Sequence, residues 1–171
     1  MARRAGRTAH ALMEHETIDV QSDGKTGNHQ TNHSFSPEQF VALVEVLTRH
    51  SSSIDGWFLL WEGYGNLNRR AFHDVAPKVQ HSMRNYFLLK GPLTAFDSFP
   101  TPPNYWWPGD RAWCVSTDTD FEWAYLGSSD ACMDEVLSQP IVDALRTQPE
   151  NPARYGMDSI NPRPVDEPRL P

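Results

Sequence analysis

Three carboxylates stand at alternate positions in the run Asp118, Asp120, Glu122, interleaved with Thr119 and Phe121. In an extended strand such side chains share one face about 7 Å apart. Like charges at that separation repel unless a cation or a basic side chain neutralises them. Asp118 and Asp120 would therefore suit Mg²⁺ or Mn²⁺ in a site that handles a phosphate- or sugar-bearing substrate, because hard cations prefer oxygen donors. An Asp-x-Asp triplet is also common by chance, and a solvated face or a turn explains it without any ligand. That plainer reading is preferred. No cofactor is expected, with a divalent metal at Asp118 and Asp120 as the alternative.

The histidines are a second source of chemistry. His29 and His33 have the spacing of a helical metal pair, but their polar, glycine-bearing surroundings predict no helix to hold it. His10 and His15 are five apart. His73 and His81 have Asp74 between them, and either imidazole could serve as a base near neutrality; surface histidines are the simpler reading. Nucleophilic and phosphate-binding signatures are missing: there is no G-x-S-x-G elbow, no P-loop and no G-x-G-x-x-G run. Gly63-Tyr64-Gly65 reads as a turn with a tyrosine at its tip.

A third candidate is an aromatic surface. Tyr64, Tyr105, Trp106 and Trp107 fall in segments read as loops, with Arg69, Arg70 and Arg111 as rim residues. Aromatics with arginine typify protein interfaces and ring-stacking sites. Three of the chain's six tryptophans lie in "NYWWPGDRAWC", residues 104–114. Neighbours in extended chain face opposite ways, so one of Trp106 and Trp107 packs inward and the other meets solvent, a ligand or a partner. Trp113 falls on an apolar parity and reads as core.

These residues need elements to position them. Residues 2–15 suit a short helix, and residues 18–33 are polar and aperiodic. Ser36, Pro37 and Gln39 form an N-cap, first turn and capping box, with Phe35 and Phe40 at the spacing of a hydrophobic staple. Phe40, Leu43, Val44 and Leu47 then make one helical stripe, which ends at His50. "GWFLLWEGYG" is apolar on both parities and predicts a central strand covered on both sides. Residues 66–84 are ambiguous, with a short strand near Val79. "NYFLLKGPL" predicts another strand, with Leu93 to Phe96 continuing it after a bulge. Residues 97–110 read as a proline-rich loop. "RAWCVSTDTDFEWAYLG" predicts one long strand or two strands joined by a turn near residues 118–122, and the acids favour the turn. Ser128 or Ser129 caps a second helix with a stripe of Met133, Val136 and Leu137. Pro140 ends it and opens a short further helix to Leu145.

The whole reads as a single α+β domain over residues 35–146, with a mixed or antiparallel sheet of about four or five strands and two main helices. Residues 1–34 read as a poorly packed segment and residues 147–171 as a proline-rich, loosely packed tail. The 171 residues carry a formal charge of −7. That balance speaks against nucleic acid as a partner and suits a protein that meets a basic partner. No run approaches the length of a membrane span, and the arginine-rich start lacks the apolar core of a secretory signal. A cytoplasmic location is expected. Cys114 and Cys132 read as two buried thiols in place of a disulfide or zinc site.

The segments "GWFLLWEGYGNL", "NYFLLKGPL", "NYWWPGDRAWCVSTDTDF" and "AYLGSS", with "DSIN" near the end, together resemble a family of uncharacterised actinobacterial proteins. The resemblance implies no established activity and brings no catalytic residues. In relatives of that kind a stretch such as "GRTAHAL" lies inside a longer chain, which implies that Met1 opens a truncated version. As a class, small acidic α+β proteins with tryptophan-rich strands also resemble toxin-immunity proteins. The leading expectation is a non-catalytic protein-binding domain, immunity-like or regulatory. The alternative is a metal-dependent hydrolase or transferase using Asp118 and Asp120.

Overall fold

The computed structural model describes residues 35–65, 67, 72, 75–99, 101–119 and 123–151. The chain divides into two compact units, Asn32–Val142 and Met1–Thr31 with Asp143–Pro171. In the second unit the described residues form no helix or strand, and Asn151 donates through Nδ2 to Thr147 Oγ1 at 3.0 Å.

In the Asn32–Val142 unit, helix α1 spans Pro37–Arg49. The Ser36 hydroxyl accepts the Gln39 N–H, and the Gln39 side chain accepts the Ser36 N–H at 2.9 Å, so both arms of the capping box close. The staple forms as well, with the Phe35 and Phe40 rings 6.5 Å apart. Helix α2 spans Asp130–Ser138 and is capped by Ser129, whose hydroxyl accepts the Cys132 N–H. Cys132 and Val136 are its buried residues, while Met133 and Leu137 are half-buried. Residues 141–145 form no further helix, contrary to the sequence expectation.

Six antiparallel strands make one open sheet in the order β2-β3-β1-β4-β5-β6: β1 Asp55–Trp61, β2 Lys78–His81, β3 Arg84–Pro92, β4 Tyr105–Pro108, β5 Trp113–Thr117 and β6 Ala124–Ser128. This is an α+β fold with more strands than the four or five expected. The additional one is β4, which the prolines around it disguise as loop. It pairs with β1 from Leu59↔Tyr105 to Gly56↔Pro108 and with β5 through Trp106↔Val115. Pro108 closes the strand, beyond the last β4–β5 pair at Trp106↔Val115. After β3 the chain does not resume as strand; Leu93–Ser98 is a 3₁₀ turn. Of the two alternatives for the acid-rich run the two-strand one holds: β5 ends at Thr117 and pairs antiparallel with β6, which begins at Ala124, while residues 120–122 lie outside the described residues.

The core lies on one face of the sheet. Phe58, Leu60, Phe87, Trp106, Trp113 and Val115 are buried there, with Leu43, Val46 and Leu47 of α1. The Phe40 ring stacks on Phe96 at 3.9 Å and lies 5.9 Å from Trp106, which meets Trp113 edge-on at 4.8 Å. The Trp113 indole N–H donates to the Leu47 carbonyl at 2.8 Å and fastens the sheet to the last turn of α1. Glu135 of α2 bridges to Arg49 and to His50, the latter at 2.7 Å, and joins the two helices.

Candidate functional site

The alternation of strand side chains and the strand register assign the opposite face of the sheet to Arg84, Tyr86, Leu88 and Lys90 on β3, Trp57, Leu59 and Trp61 on β1, and Tyr105 and Trp107 on β4. Cys114 and Ser116 of β5, then Tyr125 and Gly127 of β6, continue it. Trp57, Trp61, Tyr105 and Trp107 are all half-buried, Cys114 is exposed and Tyr125 is 38% exposed. The expectation that β1 is covered on both sides holds at its centre, where Leu59 is 8% exposed, and is corrected at Trp57 and Trp61, which are only half-buried. Apolar parity alone could not show this, because an aromatic face turned to solvent has the same pattern as one turned to a core.

At one end of this face the side chains converge. Arg84 pairs with Asp118 at 2.9 Å and lies over the Trp61 ring, 4.9 Å from its centre. Tyr105 meets the rings of His81 and Tyr86 edge-on at 5.4 and 5.8 Å, and Trp61 meets Tyr64 at 5.4 Å. His81 sits on β2 and Tyr105 on β4, three strand spacings apart across the sheet and four residues apart along it, or about 20 Å in a flat sheet. Arg84 on β3 likewise reaches across three strand spacings to Asp118, just past the end of β5. Both contacts close because the sheet curls toward this face, which makes it concave.

Burial raises the phenol pKa values of Tyr64 and Tyr86. For Tyr86 the neighbouring Tyr105 adds to the rise, while Arg84 opposes it. Both phenols therefore remain protonated hydrogen-bond donors near neutrality. The Tyr64 hydroxyl accepts Asn104 Nδ2 at 3.1 Å. The crowding around the Cys114 sulfur raises its thiol pKa even though the residue as a whole is exposed.

The aromatic residues singled out from sequence thus separate. Tyr64 and Tyr105 meet the concave end of the face. Trp107 lies further along it, beside Trp57. Trp106 is 1% exposed and belongs to the core, so it is the inward member of the pair. Arg111 lies in the β4–β5 hairpin at the far end, exposed, with a positive φ of 58°, and does not join the others. Asp118 is held by Arg84. Asp120, Glu122, Arg69, Arg70, His73, Asp74, His10, His15, His29 and His33 lie outside the described residues. Among the described residues no three His, Cys, Asp or Glu side chains gather at metal-binding range. Cys114 is exposed, not buried as expected, and both cysteines are free.

Sequence reasoning missed that Trp57, Trp61 and Arg84 stand half-buried on this face, around Tyr86, which is 3% exposed. The alternation of Arg84, Tyr86, Leu88 and Lys90 was present but hidden within the apolar run of β3. No described helix is long and apolar enough to cross a membrane. No family model matches the chain, and no curated protein or solved structure does.

Proposed function

We propose that this chain is a non-catalytic protein-binding domain, immunity-like or regulatory, which presents the concave aromatic face to a partner protein. The observation that carries this reading is the cross-strand pair Trp57 and Trp107, both half-exposed on the face opposite the helices. Tryptophans of this kind supply large, rigid contact area and dominate binding energy at protein interfaces. The metal-dependent hydrolase or transferase has weaker support, because a cation at Asp118 would have to displace Arg84 from its carboxylate. Two free cysteines fit a reducing, cytoplasmic setting.

The test compares immobilised wild type with a Trp57→Thr/Trp107→Thr double variant, whose folding is checked by circular dichroism. Proteins retained by wild type and lost from the variant support the reading; identical retention overturns it. A thermal shift with Mg²⁺ or Mn²⁺ that disappears in Asp118→Ala would replace it with the metal-dependent enzyme.

A further inference from the structure

The two edges of the sheet, β2 and β6, are finished differently. Pro77 stands directly before β2, and Lys78 opens it. Prolines and lysines so placed keep a strand edge from pairing with another chain. The five residues of β6, Ala124 to Ser128, include neither, and none of them is charged. Among the described residues no strand pairs with its outer side.

The ladder shows which backbone groups that outer side carries. The Gly109 N–H donates to Asp55 O, toward β1, and the Thr117 N–H donates to Asn104 O, toward β4. Successive residues of a strand direct their N–H and C=O to opposite neighbours. Val115 and Thr117 therefore address β4, while Cys114 and Ser116 address β6 through their partners Gly127 and Tyr125. Ala124, Leu126 and Ser128 are left with their N–H and C=O directed away from the sheet. Leu126 is also only half-buried, although its β5 partner Val115 is fully buried.

This edge matches itself. Antiparallel pairing bonds residues that both point outward, and the register centred on Leu126 uses all three. Ala124 faces Ser128 of a second copy, and Leu126 faces Leu126. Tyr125 then falls opposite the second copy's Gly127, in a non-bonded pair with Cα atoms about 4.5 Å apart. A ring over a strand glycine is a stabilising cross-strand pair. Gly127 has room for it, since even a Cβ there would meet nothing nearer than the Cys114 carbonyl at 4.0 Å. No like charges meet within the five residues, which matters for two copies of a chain with a net charge of −7. A register shifted by two residues leaves one outward residue of each copy unpaired and takes Tyr125 off Gly127.

We propose that β6 pairs with β6 of a second copy of this chain, antiparallel about a two-fold axis at Leu126, and joins the two sheets edge to edge. The pairing forms about six hydrogen bonds. It is isologous and so closes at two copies. Residues opposite one another share a face of the joined sheet, so the Trp57/Trp107 faces of both copies lie on the same side. The inference stands apart from the partner-protein reading and does not depend on it.

The test is sedimentation equilibrium of the full chain at concentrations up to about 1 mM, for wild type and Gly127→Lys. The lysine has open space in the single chain. In the pair it displaces the Tyr125 ring and stands diagonally across the axis from its own counterpart, about 7–8 Å away. It also makes the net charge less negative, so a loss of pairing does not come from overall repulsion. The expected result is a monomer–dimer equilibrium in wild type, weakened about tenfold or more in a folded Gly127→Lys. A second measurement fixes the register and serves if that variant unfolds. In a Cys114→Ser background, Leu126→Cys places two thiols on the axis with Cα atoms about 5.5 Å apart, within disulfide reach. Ala124→Cys places them four residues apart along the strands, about 13 Å. Mild oxidation should cross-link the first and not the second. A wild type that stays monomeric to 1 mM overturns the proposal, as does equal dimerisation of a folded Gly127→Lys or cross-linking at 124 as readily as at 126.

Discussion

The side-chain oxygen of Asn104 accepts the backbone N–H of Trp61 at 2.9 Å, and this bond ties the end of β1 to the segment that enters β4. Asn104 is the one buried polar or charged residue among the described residues, 1% exposed. Its backbone N–H donates to Leu59 O at 2.8 Å, and its carbonyl accepts the Thr117 N–H at 2.7 Å. One residue thus continues the hydrogen bonding of β1 and β5 where the regular ladder stops, and its amide nitrogen holds Tyr64 beside Trp61. Replacing it with leucine leaves the Trp61 N–H without a partner, at a cost of about 1–3 kcal/mol. Chemical denaturation of Asn104→Leu should show that loss, and Tyr64 should become more accessible to iodination.

Trp106 and Trp113 are neighbouring core tryptophans with opposite polar status. The Trp113 N–H is bonded to Leu47 O, whereas Trp106 Nε1 is buried with no partner. Substitution by phenylalanine removes similar volume at both sites. At Trp113 it also removes a buried hydrogen bond that joins α1 to the sheet, while at Trp106 it removes an unsatisfied donor. Trp113→Phe should therefore be more destabilising than Trp106→Phe by about 1–3 kcal/mol. Equal losses in urea unfolding would contradict the assignment.

What could be read from the sequence follows the range of the interactions involved. The cap of α1 was legible because Ser36, Gln39, Phe35 and Phe40 interact within five positions. The strands β1, β3 and β5 were legible because their apolar content is local. The strand β4 was not, because Pro102, Pro103 and Pro108 surround it and its pairing with β1 is a long-range contact that overrides local propensity. The pairing of Arg84 with Asp118 crosses 34 positions, and no spacing rule connects them. The aromatic surface was half legible: Tyr64, Tyr105 and Trp107 were named, but their companions Trp57 and Trp61 carry a pattern equally suited to a core. Arg111 was grouped with them by its proximity in sequence to Trp107, yet the hairpin carries it to the other end of β4.

Among the described residues two that are not glycine adopt left-handed backbone, Ser82 at φ 56° in the β2–β3 turn and Arg111 at φ 58° in the β4–β5 turn. A side chain there costs about 1–2 kcal/mol relative to its ordinary conformation. Ser82→Gly should raise stability by roughly 0.5–1 kcal/mol, after its greater unfolded-state entropy is deducted. Gly56→Ala should act in the opposite direction. An added Cβ would collide with Leu93 Cδ2 and stand 2.6 Å from the Trp107 carbonyl oxygen. The shift of β1 against β4 needed to relieve this should cost about 1–3 kcal/mol. Thermal melts of the two variants should move apart from wild type in opposite senses.

Asp110 gives the fold an acid limit at the other end of the sheet. Its carboxylate accepts the Ser52 N–H at 2.7 Å, the Ser52 hydroxyl at 2.8 Å and the Ala112 N–H at 3.2 Å. The Ser52 backbone bond is the largest of the influences that lower its pKa from 3.8 to about 2. A depressed carboxyl pKa means that the folded state holds the charged form more strongly than the unfolded state does. The stabilisation is therefore complete above pH 3.8 and is lost as pH falls toward 2. Glu135, whose pKa Arg49 and His50 lower, acts in the same sense. Asp110→Asn keeps the side chain's size but cannot carry the charge. Its melting temperature should lie below that of wild type at neutral pH, and the gap should narrow between pH 4 and pH 2, where wild type loses the same charge. A gap that stays constant through that interval would show that the carboxylate does not hold the Ser51–Ser53 turn against the β4–β5 hairpin.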